Sequence, residues 1–299
     1  MIDLHMHTKY SDGTDNLVDI LEKCQKINLE VISITDHNTC DAYFELEKLD
    51  IKKYYKGKII VGCEFTTFYK DKLIEILGYG FDYKEVNKFL EQYYSEEQKK
   101  KNEIILYNKI IAKIKELNLI FNENNLREKK QKNEFIETII YEELIKHPEN
   151  MNILNDDSLS SLSNFFRKGL TNPKSKFFIN RKNAVPKIQD IIDFIHSING
   201  KLFLAHPYQY GFSDTNKIIE DLFNDYNLDG IECYYTTFSS LQTSYLIEFA
   251  KRKNLLTSGG SDYHGTAKIN HDLGFGAGTL KIKADILTGA NISLYNDYQ

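Results

Sequence analysis

Met1-Ile-Asp-Leu-His-Met-His-Thr-Lys-Tyr-Ser-Asp-Gly13 places two histidines one residue apart behind an apolar start and follows them with a carboxylate. In extended chain the side chains at i and i+2 share a face, so His5 and His7 converge while Met6 packs on the other side. Two imidazoles from one strand can share a cation. A His-x-His pair also describes a packed, hydrogen-bonded strand histidine, so its meaning depends on what the chain delivers elsewhere.

Four further segments have the same character. Ile32-Ser-Ile-Thr-Asp-His-Asn38 is an apolar run ending in polar groups, as a buried strand delivers them at its C-terminal end. Ile59-Ile-Val-Gly-Cys-Glu64 repeats the pattern with Glu64, Leu202-Phe-Leu-Ala-His-Pro207 with His206, and Leu255-Leu-Thr-Ser-Gly-Gly-Ser-Asp-Tyr-His264 with Asp262 and His264. Five of the eight histidines thus fall at strand ends, which points to one shared site. Apolar strands alternating with amphipathic stretches imply βα units, and in a closed barrel of such units the strand ends converge on one mouth. Helical stretches are expected over Leu17 to Ile27, Val185 to Ile198 and Tyr245 to Arg252. Leu17, Ile20, Leu21 and Cys24 have the spacing of one buried helix face.

Between about Tyr83 and Lys182 the chain is rich in Lys, Glu, Asn and Ile, with helical patterns from Val86 to Lys115 and from Phe135 to His147. It separates two segments that each carry strand-end clusters, so it reads as a helical insertion. The expected organisation is a barrel from residues 1–84 and 183–299 with an inserted subdomain at 85–182. Thr279 to Gln299 reads as a closing strand and short tail.

Asp3-Leu-His-Met-His-Thr with Ser11-Asp-Gly13, then Ile34-Thr-Asp-His-Asn38, Gly62-Cys-Glu64, Leu77-Gly-Tyr79, Ala205-His-Pro207 and Gly260-Ser-Asp-Tyr-His264 together resemble the PHP family, named for polymerase and histidinol phosphatase. The motifs occur in family order over roughly residues 1 to 83 and 186 to 275. The resemblance implies an α/β fold, a distorted (β/α)7 TIM-like barrel with an inserted helical subdomain, and two or three divalent metals (Mn, Fe or Zn) in its mouth. It puts a first metal on His5, His7, Glu64 and Asp262, with Glu64 bridging to a second. A third would take Asp12, His37 and His264. The second would take Glu64, His206 and a residue that in many relatives is histidine; here that residue is Glu75. A carboxylate there makes the site harder and more anionic, favouring manganese or iron over zinc.

The implied activity is phosphoesterase. Metals on imidazoles and carboxylates lower the pKa of bound water and grip phosphate oxygens, so the attacking group is a metal-activated hydroxide. Glu64 and Asp262 serve the reaction as ligands, and either His264 or a metal-bound water protonates the leaving group. Asp36 is expected to orient a ligand or cap a helix. Cys40 and Cys63, among four scattered cysteines, read as core residues of a reducing compartment.

For the substrate, the four arginines stand out among 38 basic residues. Arg167 and Arg181, at the end of the insertion, have the two-pronged guanidinium that suits phosphate and equally suits a salt bridge. Asn38 and Tyr208 are further candidates for substrate contact, and Tyr208 and Tyr210 could stack on a base or simply pack. A net charge of −5 with basic and acidic residues intermixed disfavours long nucleic acid as partner and favours a small phosphorylated substrate. No signal peptide or membrane-length apolar run is visible, so a cytoplasmic location is expected; oligomeric state has no signature. The reading is a metal-dependent phosphoesterase on a small phosphomonoester, such as a nucleoside 3′,5′-bisphosphate or a phosphorylated metabolite. Its rivals are a histidinol-phosphate phosphatase, an amidohydrolase-like carbonyl hydrolase and a non-catalytic PHP scaffold module.

Overall fold

The computed structural model describes residues 1–130, 136–276, 280–287 and 289–298. Phe135, Thr279 and Gln299, which bound two of the expected elements, lie outside them. The described chain divides into two compact units, one of Met1–Tyr69, Ile74–Gln92 and Pro186–Gln299, the other of Lys70–Leu73 and Tyr93–Val185.

The first unit is built on a seven-stranded sheet whose spatial order follows the chain: β1 (Ile2–Asp3), β2 (Val31–Ile34), β3 (Lys58–Tyr69), β4 (Lys72–Tyr79), β5 (Lys201–Leu204), β6 (Gly230–Tyr235) and β7 (Leu256–Gly260). β1, β2 and β3 run parallel, with Ile2 opposite Val31 and Val31 opposite Lys58. β5, β6 and β7 are parallel as well, with Phe203 opposite Gly230 and Gly230 opposite Leu256. The distortion lies at β4, which follows β3 with no helix between and pairs antiparallel with β5, Ile76 opposite Leu204.

The sheet closes on itself. Leu4 N–H donates to the Gly259 carbonyl at 3.2 Å, Asp262 N–H donates to the His5 carbonyl at 2.8 Å, and Met6 bridges Tyr263 in parallel. This approach needs a glycine: a Cβ on Gly260 would fall 2.4 Å from the His5 Cβ, a separation no side chain can occupy. Inside the closed sheet Ile2, Leu4, Ile60, Leu77, Tyr79 and Phe203 pack with Ile282 as one apolar cluster. The interior below the mouth is therefore a filled core, as in barrels of this size.

Helices cover the outside. Leu17–Lys26 buries Leu17, Ile20, Leu21 and Cys24, the face its spacing marks, and Asn16 caps it by accepting from Asp19 N–H at 3.0 Å. Each such buried aliphatic side chain contributes about 1.5–3 kcal/mol. Ile188–Ser197 and Ser240–Lys253 occupy the other two expected helical stretches. The second of these starts earlier than Tyr245 because Ser239 and Gln242 form a reciprocal capping box.

In the second unit Leu106, Ile110, Ile114, Ile139, Ile140, Phe165 and Phe177 form a separate apolar core. The pattern from Val86 to Lys115, read as one run, is two helices, Tyr83–Tyr94, which belongs to the first unit up to Gln92, and Glu96–Glu116. Ser95 interrupts it, leaving helical geometry to accept from Gln98 N–H at 3.3 Å. Among the described residues no helix is long and apolar enough to cross a membrane.

Candidate metal centre

β1 ends at Asp3, and the chain continues in extended form so that His5 and His7 both project into the mouth, each fully buried. His5 Nε2 lies 3.2 Å from Glu64 Oε2 and 3.4 Å from Asp262 Oδ1. His7 Nε2 lies 3.2 Å and 3.3 Å from the same two oxygens. Glu64 Oε2 is also 3.2 Å from His37 Nδ1, and its other oxygen is 3.0 Å from His206 Nε2. One fully buried carboxylate is thus ringed by four imidazoles from three separate parts of the chain.

Beside this cluster Asp12 Oδ1 lies 3.1 Å from His264 Nε2 and 3.6 Å from His7 Nδ1, with Asp12 Oδ2 3.7 Å from His37 Nε2. His264 stacks on His7 at 4.1 Å. Its Nδ1 is 2.8 Å from the Asp262 carbonyl, which can only accept, so Nδ1 carries the proton and the Nε2 lone pair faces Asp12. Glu75 completes the set, with Oε1 3.6 Å from His37 Nδ1 and Oε2 3.5 Å from His206 Nε2. Among the described residues four groups with metal-ligand spacing follow: His7, Asp12, His37 and His264; His5, His7 and Glu64; His5, His206 and Asp262; His37, Glu64 and Glu75.

The donor set fits divalent cations on two physical grounds. His7 Nε2, His37 Nδ1 and Glu64 Oε1 are buried and without a hydrogen-bond partner, although each lies within 3.2 Å of an oppositely charged group's atom. Groups that approach so closely without donating to one another are aimed at a common point between them. An unsatisfied buried polar atom costs about 1–3 kcal/mol, a cost that a shared cation removes.

The second ground is electrostatic. Burial opposes charge on Glu64, but the surrounding His5, His37 and His206 overcome it and hold its carboxyl well below the usual range. Asp262 behaves alike, burial being outweighed by His5 and His7. On the imidazole side, burial pulls His7 down, yet its contacts with Asp262 and Glu64 push it up to about 10. Burial, with only partial relief from Glu64, takes His37 down to about 4. Glu75 is pushed up to about 7, first by burial and then by the Glu64 carboxylate. Glu64 and Asp262 are thus held ionised and His37 neutral, the forms in which these groups ligate a metal ion.

Backbone geometry supports the arrangement. Asp262 and Asn38 adopt left-handed φ values of +55° and +54°, a conformation that Asp and Asn tolerate better than other side chains. Asp36 does not face the cluster; it accepts from Thr8 N–H at 2.8 Å, Thr8 Oγ1 at 2.7 Å and Ser11 Oγ at 2.6 Å, and so pins the loop between His7 and Asp12. Asp3 accepts from Ser261 N–H, Ser261 Oγ and Gly274 N–H, tying β1 to the loop that carries Asp262.

The PHP domain family model matches residues 3–241 of this chain. The chain belongs to the PHP family. Among curated relatives, the 5′-3′ exoribonuclease Rnm of Escherichia coli is 23% identical over 267 residues, covering 88% of this chain and 84% of its own. Among solved structures, a protein from Bifidobacterium adolescentis described as a metal-dependent phosphoesterase superimposes with a TM-score of 0.60 at 20% identity, covering 96% of this chain and 94% of that one. An amidohydrolase from Chromobacterium violaceum, crystallised with sulfate and no metal, gives 0.61 at 18% identity, with 92% and 90% covered. These likenesses show the PHP-type barrel.

Within this PHP barrel the substrate candidates lie as follows. Asn38 is tied to β3, its amide donating to Thr66 Oγ1 at 2.8 Å and its oxygen accepting from Thr66 N–H at 2.9 Å. Tyr208 donates to Asn216 Oδ1 at 2.7 Å and meets Phe238 edge-on. The Tyr210 hydroxyl accepts from Glu75 N–H at 2.9 Å and donates to the Ala205 carbonyl at 2.8 Å, fastening Glu75 beside His206. In the second unit, Arg181 pairs with Glu137 at 3.0 Å and Arg167 is exposed on the turn Phe165–Leu170.

Sequence reasoning overlooks three residues of the centre. Glu232 in β6 is fully buried, with Oε1 3.0 Å from His5 Nδ1 and Oε2 accepting from His206 N–H at 2.8 Å. Tyr235 donates to Asp262 Oδ2 at 2.6 Å, and the Lys268 ammonium binds the same oxygen. A signal for Glu232 exists: Gly230-Ile-Glu232 repeats the form of Gly62-Cys-Glu64, a lone carboxylate in an apolar strand.

Proposed function

We propose that this PHP protein is a phosphoesterase that hydrolyses a small phosphomonoester, a nucleotide such as a nucleoside 3′,5′-bisphosphate or a phosphorylated metabolite. The observation that carries the reading is Glu64, ringed by His5, His7, His37 and His206 with Asp262 beside it. Divalent ions bound there would acidify water and neutralise phosphate oxygens. His5, His7, Glu64 and Asp262 would hold one ion, Glu64, His206 and Glu75 a second, and Asp12, His37 and His264 a third. The choice of manganese or iron over zinc follows from the four carboxylates Asp12, Glu64, Glu75 and Asp262.

The chain's own groups divide the remaining work. Glu232 and the Asp262 carbonyl fix the tautomers of His5 and His264, so both present Nε2 to the centre. With its proton on Nδ1 and its Nε2 lone pair turned toward Asp12 and the ion site, His264 would serve as a ligand and has no proton there to give a leaving group. Asn38 and Tyr208, both of the first unit, are proposed substrate contacts. A net charge of −5 supports a compact substrate over a long polyanion.

A second reading, stepwise 5′-to-3′ cleavage of short RNA, is favoured by one observation, the match to Rnm over 84% of that enzyme. Phosphate and nucleotide release would be measured for nucleoside 3′,5′-bisphosphates, histidinol phosphate and 5′-phosphorylated RNA oligomers, with stripped protein reloaded with manganese, iron or zinc. Selective phosphate release from the bisphosphates supports the first reading; mononucleotides released from the RNA support the second. Silence across the panel with metal bound removes both.

A further inference from the structure

Glu75 differs from the imidazole found at its position in many PHP relatives in a way that the geometry makes consequential. It comes from β4, which runs antiparallel to β5, and is held by Tyr210, whose hydroxyl accepts from Glu75 N–H at 2.9 Å, while Glu75 carbonyl accepts from Ala205 N–H at 3.1 Å. Its two oxygens face different partners. Oε2 lies 3.5 Å from His206 Nε2, on the side of Glu64 Oε1, while Oε1 lies 3.6 Å from His37 Nδ1, on the side of Glu64 Oε2. The facing His37 Nδ1 and Glu64 Oε1 are the buried atoms left without a hydrogen bond, and Glu64 is fully buried. An imidazole at position 75 could aim only one nitrogen into this space, because its two nitrogens point away from each other. A carboxylate can serve two ions with one group.

Resting on the metal-centre reading above, we infer that Glu75 is a bridging ligand, one oxygen for the ion of Glu64 Oε1 and His206 and the other for an ion held between Glu64 Oε2 and His37 Nδ1, the nitrogen turned away from Asp12. It links two ions that a histidine would leave separate. Its negative charge, placed between two cations, offsets their mutual repulsion and couples their binding. The ion on His37 Nδ1 would then be a tightly held part of the centre, and the centre would favour oxygen-seeking ions such as manganese.

The test uses manganese(II) alone, added to metal-stripped full-length protein, with free and bound ion followed by electron paramagnetic resonance and by elemental analysis. Wild type, Glu75→His, Glu75→Gln and His206→Ala are compared, with circular dichroism as the check on folding. The expected wild-type result is cooperative uptake and an exchange-coupled spectrum that includes every bound ion. In folded Glu75→His, one ion per chain should bind about tenfold or more weaker and show an uncoupled six-line signal; Glu75→Gln should do the same. Identical isotherms and spectra for wild type and Glu75→His, with His206→Ala impaired, overturn the bridge alone. Failure of wild type to bind manganese, or binding unchanged in His206→Ala, overturns the metal-centre reading and the bridge with it.

Discussion

Glu232 Oε1 stands 3.0 Å from His5 Nδ1, both side chains without solvent exposure, and that contact sets which His5 nitrogen faces Glu64 and Asp262. The carboxylate accepts from Nδ1–H, so the Nε2 lone pair is the one delivered to the centre. Carboxylate partners of this kind raise ligand basicity and lock ring orientation, and their loss costs about 10–100-fold in metal affinity. Glu232→Ala should therefore weaken manganese binding by that factor, while Glu232→Gln, whose amide oxygen still accepts, should lose less. Isothermal titration of the stripped variants gives the comparison, and equal affinities for all three proteins would show that His5 needs no orienting group.

Loss of a ligand has a sharper effect than loss of its support. His5→Ala and Asp262→Ala each remove a group from the shared contact with His7 and Glu64, and should abolish phosphoester turnover while leaving circular dichroism largely unchanged. Stripping the wild-type protein with a chelator should lower its Tm, because an ion bound only by the folded chain stabilises it in proportion to its binding free energy. A variant with near-normal turnover, or a Tm indifferent to chelation, would remove these residues from the centre.

Much of the barrel was open to a sequence reader because its devices are local. The i, i+2 pair His5 and His7, and the strand-end groups His37, Glu64, His206 and Asp262, each follow an apolar run that marks a strand. Which nitrogens meet which oxygens was not open, since it depends on the closure of β1 against β7 and on the left-handed turn at Asp262. Glu232 escaped because one carboxylate in an apolar strand signals little until its neighbours are known. Lys268 escaped because the chain abounds in lysine, and only the fold brings this one onto Asp262. The break at Ser95 had a legible cue, Ser95 followed three residues later by Gln98, which helical periodicity overrode.

Lys268 supplies a prediction of its own. Tyr235 and Lys268 occupy Asp262 Oδ2, leaving Oδ1 for His5, His7 and His264 at 3.3–3.4 Å. The pair holds the carboxylate to one-oxygen ligation. Lys268→Ala should lower metal affinity less than Asp262→Ala does, and Lys268→Arg should restore most of it by keeping a cation on Oδ2. Elemental analysis after dialysis against dilute manganese measures both, and full retention of metal in Lys268→Ala would mean Tyr235 alone suffices.

The second unit carries an acid-sensitive element independent of the metal centre. Glu143 is 2% exposed, accepts from Asn122 N–H at 3.0 Å and from the Asn125 amide, and pairs with Lys146 at 2.6 Å. Burial disfavours its charge, but Lys146, Asn122 and Asn125 outweigh burial and lower its pKa below the ordinary value. A carboxyl with a depressed folded pKa adds stability above the unfolded pKa, about 4.3, and that contribution is lost as pH falls from there through the folded pKa. Glu143→Gln should lower stability by about 1.5–3 kcal/mol at neutral pH, the worth of hydrogen bonds to a charged group, and by progressively less below pH of about 4. Urea unfolding of both proteins between neutral and acid pH shows whether the difference closes on acidification; a difference independent of pH would mean that Glu143 acts through packing and not through its charge.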